Sequence, residues 1–371
     1  MAASHEHNVV AICHDPGGAN MLLPVIEEMQ QRGEKLTLIA RGPGAAIWAD
    51  GGMPLHSDVV GKDDLQSLIV SLQPNLLLTG TSMSESSEYG SDIDRDTWDI
   101  GRKMGVKTVA GVDASMNLEL RFLHNVDKGQ YYPEVLCLNN DATLASFKDL
   151  DLKDAKAHVV GQPHLEKTAA SLKSLRKGFK KNKPPIVVFF SEPVNLGLPI
   201  SAQPGFDEFD VATHVINAVQ DENLRLFIKP HPHEDVDVWQ NFINAFPIHS
   251  RLEISIETAS PMKLYSIADV VLGIGSSVLM EASLAAIPTA ALQPDRKVVV
   301  NSSIDENPAI EKLYSRQTIE QDLQSFVKSP KSGGDLGQLQ LLINGSCNTF
   351  ADCLTDILVG GQSANEVSIE N

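Results

Sequence analysis

Short apolar runs, each closed by a turn and followed by an amphipathic stretch of helical period, recur along the whole chain. Such alternation has few folded solutions: parallel strands in a sheet, with the intervening helices packed on its faces. In the first half the runs are VVAIC (9–13), LTLIA (36–40), NLLLTG (75–80), KTVAGV (107–112), EVLCL (134–138) and HVV (158–160). The second half repeats the scheme with PIVVFFS (185–191), LRLFIK (224–229), LEISI (252–256), DVVLGI (269–274) and PTAAL (288–292). A chain of 371 residues exceeds one ordinary core and suits two domains of roughly 150–180 residues each. The expected fold class is therefore α/β, with two βα arrays in one chain.

Between the arrays, KTAASLKSLRKGFKKNKPP (167–185) is basic, polar and closed by two prolines, which reads as a terminal helix followed by a linker. KSPKSGGDLGQ (328–338) reads as a second loop, LQLLINGSCNTFADCLTDIL as a closing helical segment, and GGQSANEVSIEN as a loose tail. The expected division is 1–166, a linker at 167–185, 186–330, and a closing segment at 331–371.

Charge narrows the partners. With 48 acidic against 30 basic side chains the net charge is -18, which repels phosphate backbones and anionic membrane surfaces. Nucleic acid is not an expected partner. No apolar run is long enough to span a bilayer and the N-terminus lacks a signal-peptide pattern, so the chain reads as soluble and cytoplasmic. Cys13, Cys137, Cys347 and Cys353 are scattered and read as reduced thiols, not metal ligands.

In open α/β sheets ligands bind outside the carboxyl ends of the strands. After the first strand, CHDPGGANMLLPVIEEMQQRG puts His14 and Asp15 at the strand tip and a helix start near Ala19 or Asn20. Gly17 and Gly18 let backbone amides approach a ligand, the helix N-terminus favours an anion, and either tip residue suits a general base. The competing reading is a glycine turn in which Asp15 or Asn20 caps the helix. The pattern is not G-x-G-x-x-G, and no acidic ribose reader follows the second strand, which disfavours a nicotinamide enzyme. Thr81 and Ser82 lie in TGTSMSESSEYG (79–90), able to line an acceptor site or to form an ordinary surface loop. Asp113 stands just past KTVAGV, a place for a catalytic carboxylate or a helix cap.

In the second half, LRLFIKPHPHED ends an apolar strand on Lys229 and then pins His231 and His233 with Pro230 and Pro232. The prolines remove two backbone donors and fix φ, so the tip is stiff and no helix starts before about Glu234. Lys229 and His231 can donate to phosphate oxygens, while His233 or Glu234 can touch a base or sugar. A metal on the two histidines, or a structural loop role for them, are the rival readings. DVVLGIGSSVLMEASLAAIP (269–288) brings Gly275, Ser276 and Ser277 to a helix start, a phosphate cradle without a lysine. Glu281 follows one turn after Ser277 and can accept from the vicinal hydroxyls of a ribose. The bland alternative is a serine cap and a surface glutamate. Asp-x-Asp pairs at 92–94 and 235–237 read as solvated surface in so acidic a chain.

Together, KPHPHE and GIGSSVLMEASLAAIP behind a Gly-rich first loop resemble the GT-B superfamily of nucleotide-sugar enzymes. Within it the resemblance is nearest to bacterial envelope and capsule polysaccharide enzymes: sialyl- and Kdo-transferases with a His-Pro motif, glycerophosphotransferases and the related 2-epimerases. HDPGGAN, TGTS, GVKTVAGVDASMNLELRF and PEVLCLNNDATLASF are similar to a group of such proteins in which a strand-end Asp precedes an aromatic-Asn-x-x-Arg-Phe run. Here Met116 stands where an aromatic or aliphatic residue is typical, and Ser115 where Trp is expected. The resemblance covers most of residues 8–330. It implies two Rossmann-like domains facing across a cleft, with the acceptor on 1–166 and the donor nucleotide on 186–330. It also implies that His231, Ser276 and Ser277 hold the donor phosphates and Glu281 the ribose, with no obligatory metal and no cofactor beyond the nucleotide sugar.

The residues and the resemblance lead to one expectation. The chain is an inverting glycosyltransferase acting between a nucleotide-sugar donor and a saccharide or small hydroxyl acceptor, in polysaccharide or glycoconjugate biosynthesis. Asp113, Asp15 or His14, in that order, serves as base, and His231 stabilises the departing phosphate. The alternatives are a nucleotide-sugar 2-epimerase or hydrolase, and a non-catalytic nucleotide-binding relative. The expectation requires the tip Lys229–Glu234 and the serine-led helix start to converge from adjacent strands.

Overall fold

In the computed structural model the chain divides into two compact units, Met1–Lys167 with Leu341–Asn371, and Thr168–Gln340. The structure describes residues 7–56, 59, 61–83, 90–114, 118–147, 155–247, 251–331, 343–360 and 367–368. Ser115 and Met116, and parts of the loops at 79–90 and 328–338, lie outside the described residues.

The first unit is built on β1 (Asn8–Cys13), β2 (Lys35–Ala40), β3 (Leu55–His56), β4 (Leu76–Thr79), β5 (Lys107–Val112), β6 (Val135–Leu138) and β7 (Lys156–Val159), with β14 (Val367–Ser368) at one edge. The order is β14-β7-β6-β5-β4-β1-β2-β3. All pairings are parallel except the last, in which Val367 pairs with Ala157. Part of the tail expected to be loose is therefore an edge strand. Strands buried on both faces read as continuous apolar runs, and β1, β4 and β6 are nearly or wholly buried for that reason. Helices α1 (Pro16–Gln31), α2 (Gly42–Asp50), α3 (Lys62–Leu72), α4 (Ile93–Met104), α5 (Leu118–Phe122) and α6 (Asp141–Ser146) connect them. The chain order runs outward from β1 in one direction through β2 and in the other through β4, so the topological switch point lies between β1 and β4.

Helix α7 (Pro163–Leu175) carries the chain onward. The second unit holds β8 (Ile186–Phe190), β9 (Leu224–Lys229), β10 (Leu252–Ile256), β11 (Val270–Gly273), β12 (Thr289–Leu292) and β13 (Ile310–Leu313). Their order is β10-β9-β8-β11-β12-β13, all parallel, the Rossmann arrangement with its switch point between β8 and β11. The helices are α8 (Glu208–Val219), α9 (Val236–Asn244), α10 (Pro261–Ile267), α11 (Ser277–Leu284), α12 (Ser302–Glu306) and α13 (Ile319–Lys328). This order corrects one expectation: β9 and β11 are not adjacent, because β8 lies between them. No helix among the described residues is long and apolar enough to cross a membrane.

The closing helix α14 (Ser346–Leu358) returns to the first unit. Phe350, Ala351, Cys353 and Leu354 join the core formed by Leu22, Val25 and Ile26 of α1 with β1 and β5. Gly111 in β5 lets α1 pack close, since a Cβ there would lie 3.2 Å from Leu22 Cδ2 and 3.3 Å from Met21 Sδ. Glu166 of α7 caps the helix start, accepting from the Gly345 and Cys347 amides at 2.7 and 2.8 Å. Phe350 is fully buried, so Phe350→Ala should cost about 3–5 kcal/mol through lost burial and the residual cavity, read as a lowered thermal midpoint.

Candidate functional site

Each unit gathers polar side chains at the carboxyl ends of its strands, on either side of its switch point.

In the first unit β1 ends at Cys13 and α1 begins at once, at Pro16 with Asp15 as N-cap. The helix was expected to start near Ala19 or Asn20. Proline at the first helical position suits its fixed φ, so Gly17 and Gly18 belong to the first turn of a helix and Asn20 to the second, not to a loop. Asp15 Oδ2 accepts from the Gly18 amide at 3.3 Å, and Asp15 Oδ1 accepts from Ser82 Oγ at 3.0 Å. The close approach that permits this is a glycine pair: a Cβ on Gly18 would lie 3.1 Å from Gly80 Cα. At Gly17 a Cβ would fall 2.0 Å from Asp113 Oδ2 and 3.2 Å from Asp15 Oδ2. Two carboxylates, one from the tip of β1 and one from the tip of β5, thus converge over one glycine of α1.

Arg121 of α5 balances them. Its Nη1 donates to Asp113 Oδ1 at 2.7 Å and lies 2.9 and 3.0 Å from the carbonyl and hydroxyl oxygens of Thr81. Asn139 and Gln162 donate to the Asp113 carbonyl at 3.1 and 2.8 Å, fixing the backbone that carries the carboxylate. Behind Ser82 stands Asp94, which accepts from the Ser82 amide at 2.6 Å. Arg95, fully buried, ties the same loop, donating to Asp92 Oδ1 at 3.0 Å and to the carbonyls of Ser82 at 2.6 Å and of Ser91. Asp92 and Asp94 are thus buried structural anchors, against the expectation of a solvated pair; Asp235 and Asp237 are exposed, Asp235 capping α9. His14 turns to the other flank, its ring against Gly42 at the start of α2, where a Cβ would lie 2.4 Å from His14 Cε1.

Desolvation, then the charges of Asp113 and Asp94, push the Asp15 carboxyl up to about 6, against the pull of Arg121 and the Gly18 amide. Burial raises Asp94 as well, opposed chiefly by Arg95 and Ser82. Burial weighs against the charge of Arg121, yet the carboxylates of Asp113 and Asp15 hold its pKa above the ordinary value.

In the second unit β8 is followed at once by Ser191 and Glu192, between the two tips singled out by the sequence. The Lys229–Glu234 tip is a closed structure. Glu234 Oε2 accepts from the His231 amide, and Glu234 Oε1 accepts from Ser191 Oγ at 2.8 Å. Glu234 therefore braces the tip from within. Lys229 Nζ donates to the Pro230 carbonyl at 3.0 Å. The His233 amide donates to His231 Nδ1 at 3.2 Å. Burial, then His233 and Lys229, holds the His231 imidazole down to about 4, so it is neutral at pH 7. With Nδ1 accepting, the single ring proton belongs on Nε2, which makes His231 an uncharged donor.

Across β8, Ser276 is the N-cap of α11 without a side-chain cap bond. The turn before it is held rigidly: Gln293 donates to the Ile274 carbonyl and Asn301 to the Gly275 carbonyl, each at 2.8 Å. Glu192 Oε2 accepts from the Gly275 amide at 2.8 Å, and the carboxylate also takes the Ser276 amide. Burial, opposed by these amides and reinforced by Glu234, pushes Glu192 up to about 7. Ser277 opens the helix, and Glu281, one turn on, accepts from the Tyr265 hydroxyl at 3.0 Å. Sequence reasoning missed Glu192, Arg121 and Arg95, and took Asp94 for solvated surface. Arg121 lay inside the quoted NLELRF run; Glu192 carries no signal beyond its place after an apolar strand.

A family model for alpha-2,8-polysialyltransferases matches residues 204–290, a span that contains both the Lys229–Glu234 tip and the Gly275–Glu281 turn. No curated protein matches the chain. Among solved structures it is similar to the UDP-GlcNAc 2-epimerase of Methanocaldococcus jannaschii, at 11% identity and TM-score 0.67 over 95% of this chain and 100% of that one. The UDP-GlcNAc 2-epimerase of Neisseria meningitidis, bound to UDP-GlcNAc, gives 10% and 0.64 over 95% and 100%. A glycosyltransferase from Rickettsia africae gives 9% and 0.57 over 96% and 100%. These are likenesses of fold: the chain has two Rossmann-like α/β units, as in the GT-B nucleotide-sugar enzymes.

Raising a folded-state carboxyl pKa stabilises the fold only while the proton is bound, so the Asp15 contribution falls away as pH rises from about 4 to about 6. Asparagine keeps the N-cap. Asp15→Asn should therefore raise the melting temperature by a few degrees at pH 8 and leave it unchanged below about pH 4; an equal or lower midpoint at pH 8 contradicts the strained carboxyl.

Proposed function

We propose that the protein is an inverting glycosyltransferase, moving a sugar from a nucleotide-sugar donor to a hydroxyl of a saccharide or small acceptor in polysaccharide or glycoconjugate biosynthesis. The observation that carries the reading is the uncharged, rigidly held His231 donor on one side of β8 with the amide-rich start of α11 on the other. The polysialyltransferase model supports it, because its match spans both tips.

Single displacement requires two things of a protein. Negative charge grows on the leaving phosphate, and preorganised donors lower that barrier because they need no reorganisation. His231 Nε2–H, the α11 amides, Ser276 and Ser277 are those donors in this reading, with Lys229 adding positive charge. The acceptor hydroxyl must also lose a proton as its oxygen attacks the anomeric carbon. Asp15 is the better base: its carboxyl sits at about 6, near the working pH, while Asp113 is tied to Arg121. Asp113 and Arg121 then serve as positioning residues, and Ser82 orients Asp15. The reaction transfers no electrons, so it calls for no cofactor besides the donor, and the reading assigns phosphate neutralisation to protein groups instead of a metal.

His231→Ala should cut turnover by about 100-fold or more, the usual loss for one such donor; unchanged turnover in folded protein removes His231 from the mechanism. Turnover should survive exhaustive EDTA dialysis. A thermal-shift screen with UDP, CMP, CDP, GDP and dTDP should find one nucleotide that stabilises the protein, by about 2.7 kcal/mol at 100 times its dissociation constant. A 2-epimerase or hydrolase would use the same donor cluster without an acceptor. Incubation with the nucleotide sugar alone separates the two, because rapid release of nucleotide with a modified sugar argues against a transferase.

A further inference from the structure

Glu192 stands where an anionic ligand would be expected. Its carboxylate takes the Gly275 and Ser276 amides, the donors that the start of α11 would offer to a phosphate oxygen. The turn cannot give way to accommodate both. Asn301 and Gln293 hold its two carbonyls, and a Cβ on Gly275 would already fall 2.6 Å from Val300 Cγ1. A phosphate and an ionised Glu192 would compete for the same amides and repel one another. We propose that Glu192 is the resident occupant of the phosphate seat in the free protein, and that nucleotide binding neutralises it by taking up one proton on its carboxylate. This inference rests on the donor reading of the second unit.

The surroundings favour protonation over escape. Glu234 of the β9 tip is the charged group acting on Glu192; from that tip His231 is neutral and Lys229 is turned onto the Pro230 carbonyl. Ser191 beside it is engaged with Glu234, and the segment after β12 brings the neutral Val300 and Asn301 to the Gly275 turn, while its Arg296 is held by Gln293 Oε1 and Asp305. Before any ligand arrives, burial already holds the carboxyl at about 7. A phosphate placed alongside strengthens its hold on the proton further.

Calorimetric titration of the full chain with UDP, CMP, CDP, GDP and dTDP at pH 8, in Hepes and in Tris, reads the proton directly. Uptake of about one proton is expected for the nucleotide that binds, with affinity weakening by about tenfold per pH unit between roughly pH 7.5 and 9. Glu192→Gln should bind without uptake and with little pH dependence. Glu192→Ala, which drops the amide contact as well, should also lose the uptake. Wild-type binding without proton uptake overturns the proposal even if both variants fail to fold, and so does uptake that persists in either variant. If none of the nucleotides binds the wild-type chain, the donor reading fails and the role of Glu192 falls with it.

Discussion

A parallel sheet points the N-termini of its helices at the same edge to which its strands deliver their last residues, and in this protein carboxylates meet those helix starts. Asp15 accepts the Gly18 amide at the beginning of α1; Glu192 accepts the Gly275 amide just before α11. Both pairs exploit the partial positive charge and unmatched amides of a helix start. Both carboxyls are nevertheless driven upward, to about 6 and about 7 respectively, because desolvation outweighs the amides that favour the charged form. Each unit therefore keeps a group poised to exchange a proton near neutrality at its switch point.

Poise of this kind needs a stiff frame, since a carboxylate able to swing into water would recover its ordinary pKa. In the first unit the frame is ionic: Arg95 and Arg121 tie the loop after β4 and the tip of β5 together. In the second unit it is mostly neutral. Prolines fix the β9 tip, Glu234 braces it against Ser191, and side-chain amides from Gln293 and Asn301 clamp the turn before α11. The two frames differ in kind: arginine side chains dominate the first, and carboxylates with side-chain amides the second, where Glu192 takes the Gly275 amide.

Two Rossmann-like units host many reactions, so the fold by itself names none of them. What distinguishes this chain is the chemistry on the strand tips. In the proposed transfer, an uncharged His231 donating through Nε2 would follow a growing negative charge without holding a strong salt bridge to the ground-state phosphate, which is the differential binding that catalysis requires.

The sequence alone determined the strand and helix alternation, because parallel strands buried on both faces must be apolar throughout, and it marked the tips at Asp15, Asp113, Lys229–Glu234 and Gly275–Ser277. It did not reveal β13, whose IEKL pattern is half polar, nor the two-residue β3 and β14, which are defined by their partners and not by their own composition. Strand order lay beyond it too: nothing local says that β8 enters between β9 and β11, and so nothing local marks Glu192. Only the folded chain could bring Ser82 to Asp15 and Arg121 to Thr81, because such pairs are set by crossover connections between strands, and the electrostatics of a buried charge depend on neighbours that are distant in sequence.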